Sequence, residues 1–281
     1  MNAASLNSDL RRRGFPVILL VTGLIVGLPG WGGAAEQLPD ASEVTRRMIE
    51  RSQTVAGTGE GPQYTYEKRA LLERLDAAGR SLSSEVKVYK VTLIAGLPFN
   101  RLVRIQDREL SSEESNREDA REERFRQRFI TADAKKLAAQ REGLVTPELL
   151  GRYQFVVERR VVLSNRPTLV LAFKPKEGTL SSSTVMDKLL NHMAGRVWID
   201  EADADTARIE VGLVEPLSLG WLGWLASLNQ CEMSLERRRM PDGVWINTKQ
   251  SMLIQCRKLT ANLRFRSTEV CSRFQKVVAK R

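Results

Sequence analysis

The chain has 281 residues, enough to bury a sizeable core without disulfides or metal ions, and 42% of its residues are hydrophobic. Its 44 Lys and Arg outnumber its 34 Asp and Glu, which gives a formal net charge of +10 and suits either an anionic partner or simple solubility. A single His and three Cys without CxxC spacing argue against a zinc site built from Cys and His clusters.

Residues 1–35 carry the features of a secretory signal peptide in their usual order. A basic stretch at 11–13 precedes an apolar run at 15–28, and small residues at 32–35 provide a cleavage site. The run has about 14 residues, fewer than the roughly 20 that span a bilayer, which favours a cleaved signal peptide. The alternative is an uncleaved N-terminal anchor. The sequence therefore predicts an exported, periplasmic protein whose mature part, residues 36–281, is a single domain. In that compartment we expect an anionic lipid or an acidic protein surface as partner, and no nucleic acid.

The mature chain opens with a predicted short helix. Asp40 and Glu43 form a capping pair, and Val44 and Met48 lie four residues apart on one helix face. Four Gly or Pro residues within 53–62 then predict a linker.

Alternating apolar residues predict strands over most of the remaining chain. The strands are expected at 63–76, 83–94, 100–106, 153–163, 168–173, 195–200, 206–214, 229–238, 244–256 and 262–274. Short turns between them predict antiparallel pairing, and a short helix is expected at 184–193. The fold class that follows is α+β, mainly β: a curved antiparallel sheet covered by a few helices.

A charged segment at about 111–141 interrupts the strand pattern. Ser111 with Glu114 makes a capping box, and Glu113 with Arg117 has the spacing of a helix-supporting ion pair. The segment is therefore predicted as a helical insert, which is either a solvated helix pinned by a few aromatic residues or a docking arm.

Two segments late in the chain carry candidate ligand-binding residues. In strand 206–214, Val211 and Leu213 share an inward-facing parity with Ala207 and Ile209. Segment 217–228 interleaves Trp with Gly, and it is interpreted as a lid over an apolar groove, as a buried corner or as an ordinary amphipathic connector. The predicted lid or mouth residues are Trp221, Leu222, Trp224 and Leu225.

Motifs for catalysis are missing from the sequence. It contains no GxSxG elbow, phosphate-binding Gly loop or HExxH, and His192 is interpreted as structural. Asp200, Asp203 and Asp205 are interpreted as an acidic turn, not a metal site, because the remaining calcium-loop spacing is missing. A hydrolase acting through paired carboxylates is the weakest hypothesis, and no cofactor is expected.

The three cysteines allow one disulfide and one free thiol in an oxidising compartment. Cys231 and Cys256 fall on strands predicted to be adjacent, but their register is several residues apart, so no bridge between them is predicted.

The order of these elements resembles the LolA/LolB-like outer-membrane lipoprotein-sorting superfamily. The resemblance extends over residues 40–275 and includes YTYEKRALLERLD, RPTLVLAFKP, STVMDKLLNHMAG and, as its most specific part, GRVWIDEADADTARIEV. It implies a half-open β-barrel whose concave apolar cavity binds the acyl chains of lipoproteins and carries them across the periplasm. No lipobox Cys is present, so the chain is more similar to the soluble carrier than to the anchored receptor.

These observations predict a non-enzymatic carrier or binding protein for lipoprotein acyl chains or lipids. Val211 and Leu213 would line its cavity, and an inner- or outer-membrane protein would be a further partner. The alternative is an envelope sensory or protein-interaction module on the same fold, with residues 111–141 as its docking surface.

Overall fold

The computed structural model describes residues 37–58, 63–94, 96–129, 146–178, 184–219, 226–258 and 261–277. The helices described are α1 (Ala41–Thr58), α2 (Ser112–Phe129), α3 (Pro147–Gly151) and α4 (Val185–Leu190). The first six strands are β1 (Tyr64–Leu75), β2 (Ser81–Ile94), β3 (Leu97–Ile105), β4 (Arg108–Glu109), β5 (Tyr153–Leu163) and β6 (Arg166–Pro175). The other six are β7 (Met193–Asp200), β8 (Thr206–Leu213), β9 (Leu217–Leu219), β10 (Ala226–Arg239), β11 (Trp245–Lys258) and β12 (Ala261–Lys276).

All twelve strands join one curved sheet that does not close. The strand order is β4-β3-β2-β1-β12-β11-β10-β8-β7-β6-β5, with β9 paired to β10 outside this path. Every pairing is antiparallel, and near the middle of the sheet β1 pairs with β12, which places Leu71 opposite Thr268. This architecture confirms the predicted mainly-β α+β class.

Helix α1 packs on one face of the sheet, which we call the inner face; the opposite face is the outer face. Asp40 caps the helix by accepting a hydrogen bond from the Ser42 N–H at 2.7 Å. Val44 and Met48 are each only 4% exposed, because they pack on the inner-face cluster of β6 and β7. That cluster contains Leu169, Leu171, Val197 and Ile199. The predicted buried face of this helix is therefore confirmed.

Helix α1 continues through Thr58, so the prediction of a linker beginning at residue 53 is wrong. The Thr54 hydroxyl donates to the carbonyl of Glu50 at 2.8 Å, a local bond that the helix accommodates. Gly57 lies in the last turn, where a glycine disturbs a helix less than in its interior.

Helix α2 runs along the edge of the sheet at β3. Glu118 accepts a hydrogen bond from the Leu102 backbone N–H at 3.0 Å, and Arg121 donates to the backbone carbonyl of Asn100. The Arg121 guanidinium also lies 4.5 Å from the centre of the Phe99 ring, which packs against Phe125. These contacts satisfy backbone groups that an exposed strand edge would otherwise offer to another chain.

The helical insert predicted at 111–141 is confirmed over the residues of α2. Glu114 and Ser111 form the predicted capping box, with the Ser111 N–H donating to the Glu114 carboxylate at 2.8 Å. The predicted Glu113–Arg117 ion pair is present. Residues 130–141 lie outside the described residues.

The end of α4 and the start of β3 differ from the sequence prediction. Helix α4 ends at Leu190, because Met193 already begins β7. Strand β3 begins at Leu97, before its predicted start at residue 100; Pro98 lies near the strand start, where one missing N–H is tolerated. Among the described residues, no helix combines the length and the apolar character needed to cross a membrane.

Candidate functional site

The inner face continues beyond α1 as an apolar surface on β8, β10 and β11. Val197 of the buried cluster pairs with Ile209, which packs against that cluster. Two residues further along β8, Val211 pairs with Met233, and Met233 pairs with Met252. Directly paired residues project on the same face of an antiparallel sheet, so this row lies on the inner face.

Burial differs sharply along this face. Leu171 is fully buried under α1. Val211, Met233 and Met252 are only half-buried, and so is Ile254, which lies on the same face opposite Cys231. None of these four residues belongs to the described cluster that packs against Val44 and Met48 of α1, and we call this second part of the inner face the open inner face.

Both strand residues of the predicted cavity lie on this face. Val211 is opposite Gly195, and Leu213 is opposite Met193. Their predicted ligand-binding role stays a prediction. The four predicted lid residues, Trp221, Leu222, Trp224 and Leu225, lie outside the described residues. The strands that flank them are described: Leu217 of β9 pairs with Leu228 of β10, and Leu217 is buried.

Gly195 allows the backbones of β7 and β8 to approach closely beside Val211. A Cβ atom at this position would lie 2.0 Å from the Glu210 carbonyl oxygen and 2.8 Å from the Val211 Cα. Any larger residue would push β7 away from β8. Glycine within a strand often marks such a close backbone approach.

A cavity of about 340 Å³ lies on the other side of α1, between that helix, α3 and the start of β5. Apolar groups from Ile49, Leu150, Tyr153 and Phe155 line it, and Lys176 adds a charged group. This volume lies at the lower end of the range of small-ligand pockets. Sequence reasoning missed the cavity because it missed α3, although Thr146 followed by Pro147 is a helix-start signal and Thr146 caps the helix.

A larger groove, of about 560 Å³, is formed mainly by residues of the outer face. Its lining is mixed: Glu210, Glu232, Arg196 and Arg266 contribute charged groups. Val211, Met233 and Met252 line the same groove, so these three residues border both faces of the sheet.

The acidic turn between β7 and β8 binds arginines. The Asp200 carboxylate is 1% exposed and accepts two hydrogen bonds from Arg166, at 2.5 and 2.7 Å. Burial alone would raise the pKa of Asp200, but Arg166 and the backbone N–H groups of Asp203 and Ala202 hold the pKa below its ordinary value. The interpretation of this segment as an acidic turn fits these contacts.

The same turn fixes α1 over the sheet. Arg47 of α1 donates to the Glu201 carbonyl at 2.7 Å, and Arg51 lies 3.4 Å from the Asp205 carboxylate. Glu201 also accepts two hydrogen bonds of 2.7 Å from Arg160 of β5. The turn therefore connects α1 to β5.

His192 and the three cysteines are the remaining candidate residues from the sequence, and all four lie within the described residues. His192 Nδ1 lies 2.6 Å from the Lys188 carbonyl, at the end of α4. Cys231, Cys256 and Cys271 are all free thiols. Cys231 lies opposite Ile254, and Cys256 lies opposite Leu228, so the predicted register offset between these two cysteines is confirmed.

No family model matches the sequence, and the comparison with curated proteins finds no match. Solved structures do match. A putative outer membrane lipoprotein-sorting protein domain from Vibrio parahaemolyticus is 13% identical with a TM-score of 0.34, covering 84% of this chain and 95% of its own. A LolA superfamily protein from Nitrosomonas europaea is 8% identical with a TM-score of 0.26, covering 82% and 92%. The MucA/MucB complex structure from Pseudomonas aeruginosa matches with 10% identity and a TM-score of 0.23, covering 83% and 94%. Two of these three structures are of LolA-like or lipoprotein-sorting proteins, the superfamily that the sequence resembles, and the fold class rests on the sheet described above.

Proposed function

We propose that the protein binds acyl chains of lipids or lipoproteins on the open inner face and carries them in the periplasm, without catalysing a reaction. The observation that supports this proposal is the change in burial along one sheet face. Leu171 is fully buried, whereas Val211, Met233 and Met252 continue the same face and are only partly buried. Partly exposed apolar residues of this kind form a natural surface for an apolar ligand.

The binding energy would come from removing hydrocarbon from water. Each CH₂ group that is buried contributes about 0.8 kcal/mol, so contact with a few methylenes is enough for useful affinity. The methionines suit this role because their unbranched, polarizable side chains adapt to chains of different shape. The cavity beside Ile49 and Phe155 offers a second apolar surface on the other side of α1.

Two neighbouring residues provide a matched test of this site. Met252 pairs with Met233 on the inner face, whereas Leu253 pairs with Glu232 on the outer face. Both are half-buried residues of the same strand, so Met252→Asp and Leu253→Asp introduce the same charge one residue apart.

We expect Met252→Asp to weaken binding of a fluorescent fatty acid or a triacylated lipopeptide roughly tenfold or more. The carboxylate would remove apolar contact with about two methylenes of the ligand, and two buried methylenes correspond to about a tenfold change in affinity. Leu253→Asp should leave the affinity unchanged. Fluorescence titration measures both, and circular dichroism verifies that both variants are folded. Equal affinities for the two variants, or no binding by the unmodified protein, would reject the proposal.

A further inference from the structure

One end of the sheet combines excess positive charge with exposed leucines. This end, which we call the hairpin end, comprises residues 73–82 of β1, its turn and the start of β2, together with residues 257 and 262–266 of β11 and β12. The two hairpins are neighbours, because Arg74 pairs with Phe265 and Arg264 donates to the Ala77 carbonyl at 3.4 Å.

The charge on the hairpin end is strongly unbalanced. Its basic residues are Arg74, Arg80, Arg257, Arg264 and Arg266. Only two carboxylates share this surface: Asp76 binds Arg80 at 2.8 Å, and Glu73 lies 3.5 Å from Arg266. Within the described part of the chain, no carboxylate contacts Arg74, Arg257 or Arg264. The hairpin end therefore attracts anions.

Exposed apolar side chains lie beside these arginines. Leu82 is 62% exposed and Leu72 is 46% exposed. Leu72 pairs with Ser267, which pairs with Met252, so it lies on the same inner face as the proposed acyl site. A soluble acidic protein or nucleic acid would use the arginines alone, whereas a lipid surface uses both the charge and the apolar groups.

We propose that the hairpin end docks on the surface of an anionic lipid bilayer. The arginines would contact lipid phosphates, and Leu82 would enter the interfacial region. The proposal does not depend on acyl-chain binding, because none of these contacts requires a ligand on the open inner face. Docking in this orientation would bring the end of the inner face at Leu72 next to the membrane.

Hydrogen–deuterium exchange of the full chain, measured by mass spectrometry, tests the location of docking. The vesicles contain equal parts phosphatidylglycerol and phosphatidylcholine, and vesicles of pure phosphatidylcholine are the comparison. We expect the amides of 76–82 and 262–265 to become protected on the anionic vesicles only. Because the readout is local, vesicle binding through the apolar residues 15–28 does not count as support.

A pair of triple variants tests the role of the charges. Arg74→Gln, Arg80→Gln and Arg257→Gln together remove three exposed arginines, and Lys174→Gln, Lys176→Gln and Lys188→Gln remove three exposed lysines elsewhere. The lipid concentration that protects the hairpin amides should rise roughly a hundredfold in the arginine variant and stay unchanged in the lysine variant.

Three results would overturn this proposal: no protection at these amides, equal protection in the two triple variants, or protection by soluble polyglutamate but not by vesicles. Fatty-acid titration of the arginine variant separates the two proposals. Unchanged acyl affinity with lost docking supports both of them, whereas docking without acyl affinity in the unmodified protein rejects only the proposed function.

Discussion

The covered and the open parts of the inner face are built from the same residue types but have different environments. Around Leu171, helix α1 completes a core, and the Glu201 carbonyl and the Asp205 carboxylate of the acidic turn hold that helix in position. Met233 and Met252 on the same face are half-buried, although Cys231 and Leu235 beside Met233 are buried. The comparison shows that strand alternation determines which side chains share a face, while the placement of one helix determines how much of that face becomes core.

The largest expected difference between the two parts is in packing energy. Leu171→Ala should lower the free energy of unfolding by about 4 kcal/mol, because it leaves a cavity beneath α1. Met233→Ala on the open part should lower it by about 1 kcal/mol, since that side chain is only partly buried. Urea unfolding followed by circular dichroism measures both. Similar losses for the two variants would mean that the open part is also core.

The next effect concerns the arginine contacts of the acidic turn. Asp200→Asn should lower the free energy of unfolding by about 3 kcal/mol, because Arg166 loses a buried carboxylate partner. Asp76→Asn is the matched control, since its partner Arg80 is 82% exposed and a surface ion pair contributes little. The role assigned to the turn would be wrong if both variants unfolded at the same urea concentration.

The stability that Asp200 contributes should depend on pH. Its folded-state pKa is below the ordinary value, so the carboxylate stabilises the fold above about pH 4, the unfolded-state pKa, and this contribution is lost as the pH falls through the lower, folded-state pKa. The difference in unfolding free energy between the unmodified protein and Asp200→Asn should therefore be constant near neutral pH and shrink in strong acid. Urea titrations at several pH values measure this difference. A difference that grew on acidification would contradict the assignment.

The smallest expected effect on the free energy of unfolding is at β3, near the opposite edge of the sheet from the strands that α1 covers. Glu118→Ala should cost about 1–2 kcal/mol, because the Leu102 N–H loses a charged acceptor. Glu118→Gln keeps an acceptor oxygen and should cost less. Unfolding measurements give the stability, and light scattering reports whether the uncovered edge associates with other copies. No change in either quantity would show that α2 does not protect this edge.

Much of this architecture could be predicted from local sequence patterns. The spacing of Val44 and Met48 identified the buried face of α1, and alternation in β8 placed Val211 and Leu213 on the inner face. Ser111 and Glu114 identified the start of α2 because a capping box is a local signal.

The remaining features depend on long-range contacts that local patterns do not encode. The row from Val211 to Met252 requires the registers of three strands, two of which are separated from β8 in sequence. The contact of Glu118 with Leu102 depends on how α2 lies against β3. The five residues of α3 are too few to give a periodic pattern, so the cavity beside Tyr153 could not be predicted either.

The pairing of β1 with β12 has a consequence for how the chain folds. Strand β1 lies between β2, which follows it directly, and β12, which is the last strand of the chain. Until residues 261–276 have been synthesised, β1 has an unpaired edge and the two halves of the sheet have no strand to join them. Contacts between residues so far apart in sequence form slowly. The nascent chain should therefore remain incompletely folded, with β1 open to pairing with other chains, until its C-terminal strand emerges.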